Sequence, residues 1–158
     1  MNHDKKRRVF LKGSLAASTV GLAVGAGLLT PASVLATWNK EAFTAKADDE
    51  AIKAAMGTAS TTPSDQITIK APDIAENGAV VPVSVVAKMD GVNSIMLLVE
   101  KNAVPLSAIF HLPEGTLPDV STRVKMGKTG DVIAVVKANG KLYSARKSVK
   151  VTIGGCGG

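Results

Sequence analysis

Thiols and imidazoles are scarce in this chain: its 158 residues include one cysteine, Cys156, and two histidines, His3 and His111. A single cysteine excludes an intramolecular disulfide and leaves either a reactive thiol or an intermolecular bridge. One cysteine and one or two histidines also fall short of the usual four ligands of a structural zinc site. No resident metal or cofactor is therefore expected. Internal repeats of useful length are lacking too. The formal charge of +6 suggests a basic protein, but the excess is local. Lys5, Lys6, Arg7, Arg8 and Lys12 crowd the amino terminus with Asp4. Setting residues 1–36 aside takes the 19 basic and 13 acidic residues down by five and one, to 14 and 12, a net of +2. A nearly neutral remainder gives no electrostatic argument for nucleic acid as a partner.

Residues 1–36 read as an export leader. Adjacent Arg7 and Arg8 followed by Val9-Phe10-Leu11-Lys12, then an uncharged Gly/Ala/Leu-rich run, have the form of a twin-arginine signal. Ala32, Ser33 and Ala36 place cleavage after Val34-Leu35-Ala36. The run approaches the roughly 20 residues of a membrane span, yet its glycines, Thr19, Thr30 and Pro31 keep it weakly apolar, and the small-residue exit favours cleavage. The expected location is the periplasm. Because this route carries folded cargo, the chain is expected to cross already bound to a partner without a signal of its own.

About 120 residues remain, enough for one domain with a single core. Trp38, Phe43 and Ala47, then Ile52, Ala55 and Met56, recur at helical spacing. Asp48-Asp49-Glu50 places acids where a helix amino terminus favours them, and Gly57 closes that helix. The spacing predicts a polar loop over Thr58 to Asp65 and β structure thereafter. Ile67-Thr68-Ile69 alternates. Val81, Val83, Val85 and Ala87 line one face of a strand whose Pro82 predicts an edge or bulge. Ile95 through Val99 is apolar at every position, as in a strand covered on both faces. Ala108 to Leu112 and Ser121 to Met126 are shorter candidates. Val132 to Lys137 and Leu142 to Ile153 flank Asn139-Gly140, a strong hairpin signal. About seven short strands with a helical amino-terminal segment predict a mainly β fold, an immunoglobulin-like antiparallel sandwich.

The last strand is expected to be core-anchored up to Ile153 and to release the chain at Gly154. Beyond it lies Gly154-Gly155-Cys156-Gly157-Gly158. Glycine has no Cβ and a wide choice of backbone angles, so the sequence predicts a flexible arm with the thiol at its tip. Three extended residues from Ile153 to Cys156 span about 10 Å, and four glycines leave no bulk to bar a narrow cleft. Such a sulfhydryl can carry something covalently between partners. Arg146, Lys147 and Lys150 near the pivot could favour a thiolate or an anionic adduct, or simply be a solvated basic face.

The tail Val149-Lys150-Val151-Thr152-Ile153-Gly154-Gly155-Cys156-Gly157-Gly158 resembles the carboxy terminus of the SoxY family, the sulfur carriers of bacterial thiosulfate oxidation. Glu76-Asn77-Gly78 leading to Val81-Pro82-Val83 agrees, as do Val99-Glu100-Lys101-Asn102 with Pro105-Leu106. Thr122-Arg123-Val124-Lys125-Met126 and Gly140-Lys141-Leu142-Tyr143 fit as well. Where the family often has proline, Ala103 or Val104 stands. The resemblance implies a non-enzymatic carrier with sulfur intermediates attached covalently to Cys156. It further implies a heterodimer with a SoxZ-like β-sandwich subunit. The haem-containing SoxAX, the hydrolase SoxB and, where present, the sulfur dehydrogenase SoxCD would act in turn on the same sulfur. A Cys156–Cys156 disulfide homodimer is the expected oxidised by-product.

Other readings of the residues stay open. A Gly-Gly terminus could carry sulfur as a thiocarboxylate on Gly158, although export away from ATP opposes this. Cys156 with His111 is the one thiol–imidazole pair on which an enzyme could be built once the leader is gone. A structural interaction module would leave the tail dispensable.

Overall fold

Alternating and fully apolar strand segments set the architecture. The computed structural model describes residues 39–153, which belong to one compact unit. Residues 1–38, which include the expected leader and Trp38, and residues 154–158, which include the expected arm and Cys156, lie outside the described residues. A turn at residues 40–44 precedes helix α1, Asp48–Met56. Nine strands follow: β1 Thr62–Pro63, β2 Ile67–Lys70, β3 Ile74–Asn77, β4 Val81–Ala87, β5 Val92–Val99, β6 Leu106–His111, β7 Asp119–Val124, β8 Gly130–Ala138 and β9 Lys141–Ile153. The larger sheet runs β1-β9-β8-β5-β6, with β3 also on β9, and the smaller runs β2-β4-β7.

Each strand's burial follows from its place. In β4, Val81, Val83, Val85 and Ala87 are buried on every second position. They face Ile95, Leu97, Val99, Val132, Ala134 and Val136 of the other sheet, and together these make the sandwich core. The intervening residues Met96 and Leu98 of β5, with Ile133 and Val135 of β8, point to the opposite face. There Ala51 and Ile52 of α1, with Ala42, cover them. Helix α1 thus makes the large sheet a middle layer, which is why Ile95 to Val99 is apolar throughout. Each such side chain contributes about 1.5–3 kcal/mol of hydrophobic stabilisation.

Several sequence expectations change in detail. The segment read as a polar loop over Thr58 to Asp65 contains β1, whose Thr62 and Pro63 lie parallel to Tyr143 and Ser144. The fourfold alternation that marks a strand cannot show in two residues. Strand β3, also unforeseen, runs parallel to the far end of β9, pairing Ile74 with Lys150 and Asn77 with Ile153. The segment around Phe43 gives a turn, with Phe43 N–H donating to Asn39 O at 3.2 Å, and the regular helix starts only at Asp48; Trp38 lies outside the described residues. Pro82 lies on β4, the middle strand of its sheet, rather than on an edge strand. Yet β2 pairs only as far as Ser84, so Pro82 has a strand partner, Arg123, on one side alone.

The turn expectations hold. Gly57 adopts φ +89° and returns its N–H to Lys53 O at 2.9 Å. Asn139 and Gly140 both have positive φ, 50° and 76°, as a two-residue hairpin of primed type requires. Gly91 is more constrained: φ is +70°, and an added Cβ would come within 2.1 Å of Asn139 Oδ1. That side chain is itself engaged, with Nδ2 donating to Asp90 O at 3.0 Å. Gly91→Ala should therefore destabilise the fold by about 1–3 kcal/mol. Gly57→Ala meets no atom within 4 Å and should cost less, a difference that urea unfolding midpoints would read.

Candidate functional site

The candidate site begins where β9 ends. Beyond Gly130, paired with Val149, β8 no longer supports β9, and Thr129 replaces it. Val151 N–H donates to Thr129 Oγ1 at 2.9 Å, and that hydroxyl donates back to Val151 O at 3.3 Å. On the other side, Lys150 N–H donates to Asp73 O at 2.9 Å, and the Thr152 hydroxyl donates to Glu76 O at 3.0 Å. Gly78 N–H donates to Ile153 O at 2.8 Å, while Gly78 O accepts from Met126 N–H at 2.7 Å. The strand is therefore held on both sides as far as Val151, and by Gly78 at its last residue.

Burial stops earlier than the sequence led us to expect. Val149 is fully buried and Val151 partly so, but Ile153 is 68% exposed. Ile153 keeps the inward phase of the strand, yet the sandwich has no further residue to set against it. Hydrogen bonds from backbone groups and the Thr129 and Thr152 hydroxyls hold the end of β9, and core packing does not. Thr129 was missed by sequence reasoning, since a lone threonine between Lys128 and Gly130 carries no periodic signal, whereas Gly78 reads as a turn from the sequence and is one.

The three basic residues near the pivot do different things. Lys147 Nζ lies 2.6 Å from Asp73 Oδ1, and this hydrogen bond with the attendant charge holds the Asp73 carboxyl below the usual carboxylate range. Arg146 projects from the next position, and its charge acts on Asp48 at the start of α1. Burial pushes the Asp48 carboxyl up, and the Arg146 guanidinium partly opposes that rise. Lys150 makes no ion pair among the described residues. The ammonium of Lys147 is thus already matched by a carboxylate, which weakens it as an activator of a nearby thiol.

The Asp73–Lys147 pair has a defined pH signature. A folded pKa below the unfolded one adds stability above the unfolded value, and that stability is lost as pH falls through the folded value. Lys147→Met should bring the Asp73 titration, followed by carboxyl NMR, back up to the ordinary range. Both groups are solvent-accessible, so the change in thermal midpoint should be small.

His111 closes β6 and is exposed. Its register partners run from Ser94 on β5 to Lys137 on β8 and Leu142 on β9. From Leu142 to Ile153 the strand extends on the order of 35 Å at about 3.3 Å per residue. Cys156 is three residues past Ile153, a reach of about 10 Å. The chain therefore cannot bring its thiol to His111, and the intramolecular thiol–imidazole pair is ruled out on geometry. Among the described residues, no group of three or more His, Cys, Asp or Glu is arranged to hold a metal. A cavity of about 650 Å³ lies between the amino-terminal turn and α1, lined by Glu41, Lys46, Glu50 and Lys53 among others, and no β9 residue reaches it.

Fold and sequence together define a small two-sheet β protein whose only thiol follows the last strand on a glycine-flanked tail. The family model described as "Sulfur oxidation protein SoxY" matches residues 52–156, so the alignment ends on Cys156 itself. A solved structure of the sulfur carrier protein SoxY from Chlorobium limicola f thiosulfatophilum is 45% identical, with a TM-score of 0.61, covering 66% of this chain and 96% of that one. The chain belongs to the SoxY family. Two weaker likenesses carry no argument. One is the bacterial superantigen toxic shock syndrome toxin-1 (11% identity, TM-score 0.39, 54% of this chain and 98% of that one). The other is a PKD domain of an M14-like peptidase from a Thermoplasmatales archaeon (12%, 0.36, 53% and 92%). No curated protein matches the chain.

Proposed function

We propose that this protein is a periplasmic sulfur carrier, which holds sulfur intermediates covalently on Cys156 and presents them to successive enzymes of thiosulfate oxidation. The observation that carries this reading is the family match, which runs through the body and ends on the single cysteine. The grip on β9 supports it: a braced root followed by glycines gives a fixed origin and an unobstructed sulfur. So does the position of His111, which puts the one imidazole among the described residues beyond the thiol's reach. Activation then falls to the partner, because a thiol near its reference pKa of about 8.5 is only a few per cent thiolate at neutral pH.

Loading is an oxidation. The Cys156 thiol and the sulfane sulfur of thiosulfate form a sulfur–sulfur bond, releasing one proton and two electrons to a haem protein of the SoxAX kind. Hydrolysis by a SoxB-like partner then breaks the bond between that sulfane sulfur and the sulfonate group. Water supplies the oxygen of sulfate, one proton is released, and a persulfide remains on Cys156. A SoxCD-like enzyme, where present, oxidises that persulfide further, and a SoxZ-like subunit accompanies the carrier throughout. Export through the twin-arginine leader at residues 1–36 places the complex in the periplasm.

The test is to incubate the protein with thiosulfate and the co-expressed oxidising enzymes, then to take intact and peptide masses. Sulfur-bearing adducts on the peptide at Cys156 are expected. Adducts on the Gly158 carboxylate, or none in a system that consumes thiosulfate, would overturn the assignment. Recovery of the protein in the cytoplasmic fraction would remove its periplasmic half.

A further inference from the structure

Strand β9 outruns its neighbour. Strand β8 starts at Gly130, which pairs with Val149, and the same register carried one step further would set Lys128 opposite Val151. The chain before Gly130 is tied elsewhere. Gly127 N–H donates to Asn102 Oδ1 at 3.0 Å and Asn102 Nδ2 donates to Lys125 O at 2.7 Å, which joins the β7–β8 connection to the β5–β6 connection. Lys150 directs its N–H to Asp73 O, toward β3, so strand alternation turns the N–H and C=O of Val151 the other way. There the Thr129 hydroxyl engages both, accepting from the N–H and donating to the carbonyl. Thr129 is exposed, and its side-chain hydrogen bonds among the described residues both go to Val151.

This contact stands where packing stops holding the strand. Val149 is fully buried, whereas Thr152 and Ile153 are exposed. Without the Thr129 hydroxyl, residues 150–153 would rest on β3 alone, a strand of four residues of which three are exposed. A two-stranded ribbon of that size has little stability of its own. The residue at which β9 lets go also decides the length of the tether to the thiol. Cys156 is three residues from Ile153, about 10 Å when extended, but seven from Val149, about 24 Å. A longer tether dilutes the sulfur over a larger volume and leaves more residues to be ordered when it enters a partner's cleft.

We infer that Thr129 is a positioning residue for the carrier reaction: its hydroxyl latches Val151 and thereby fixes the point from which the sulfur is delivered. The inference rests on the carrier reading and deepens it by naming the residue that sets the working length of the tether. Thr129 acts through Val151 and touches neither the thiol nor its cargo. Losing the hydroxyl therefore leaves the chemistry of the sulfur as it was. What changes is the concentration of carrier at which a partner enzyme is half-saturated, because each encounter then has a longer, less ordered segment to fix in place.

Thr129→Val removes the hydroxyl and keeps the shape. In the exported protein, prepared with its partner subunit, hydrogen exchange at the Val151 amide should quicken at least about tenfold, while the amides of Val132 to Val136 keep their rates. A nitroxide on Cys156, the only thiol, should broaden amide NMR signals over a wider part of the body in the variant than in the wild type. With the co-expressed oxidising enzymes, the KM for the carrier should rise about three- to tenfold at unchanged kcat. Thr129→Ser keeps the hydroxyl and should bring both the exchange rate and the KM back toward the wild-type values. Thr129→Ala takes the place of the valine variant should that one not fold. Wild-type exchange at Val151 would overturn the inference, as would faster exchange with an unaltered KM, a fall in kcat alone, or a serine variant that restores nothing. A wild-type protein that takes up no sulfur would instead defeat the carrier assignment. The exchange and nitroxide measurements need no enzyme, so they tell the two failures apart.

Discussion

Cys156→Ser should abolish thiosulfate-dependent sulfur loading while leaving the thermal midpoint of the protein unchanged within about 1 °C. The loss is complete because the chain has no second thiol to substitute, and a serine hydroxyl cannot form the sulfur–sulfur bond on which the carrier chemistry rests. The fold should not notice, because the buried residues of both apolar clusters all lie between Ala42 and Val149. The measurement pairs intact mass after incubation with thiosulfate and the oxidising enzymes against calorimetric unfolding. A variant that still gains sulfur would move the attachment point elsewhere. One that loses several degrees would mean that the tail contributes to stability.

The complementary effect belongs to the body. Leu97→Ala should lower stability by about 2–5 kcal/mol, the range for deleting most of a fully buried leucine side chain. Leu97 has no exposed surface and faces the sandwich interior from β5, the strand that joins β8 to β6. A small domain commonly has 5–15 kcal/mol in total, so this one change takes much of it. Loading of Cys156 in whatever fraction stays folded should proceed at the usual rate. Denaturant titration with loading assayed at low temperature separates the two quantities. A stability change under about 1 kcal/mol would contradict the placement of Leu97 in a rigid interior.

What could be read from the residues, and what could not, follows the range of the interactions involved. Long alternating or fully apolar segments announced β4, β5, β8 and β9, and Asn139-Gly140 announced the hairpin, because those signals are local. The acids at Asp48 to Glu50 and the stop at Gly57 marked α1 for the same reason. Strands β1 and β3 were illegible: two and four residues long, they exist because β9 offers them a partner some eighty residues further along. Pro82 looked like an edge residue, and locally it is one, although its strand is central. At the candidate site, the lone thiol and its glycines stood out at once. The brace at Thr129, Gly78 and Thr152 did not, since it joins hydroxyls and backbone groups across stretches of sequence too long for any local signal. Lys147 read as a potential activator, and only the fold reveals Asp73 as its counter-charge.

The parallel pairing of β1 and β3 onto β9 has a bearing on folding speed. Thr62 meets Tyr143 and Ile74 meets Lys150, so these pairs close loops of about eighty residues. Contacts so distant along the chain cost loop entropy before they return any stabilisation. The β8–β9 hairpin, closed by a two-residue turn, should therefore form early, and β1 and β3 should dock on it late.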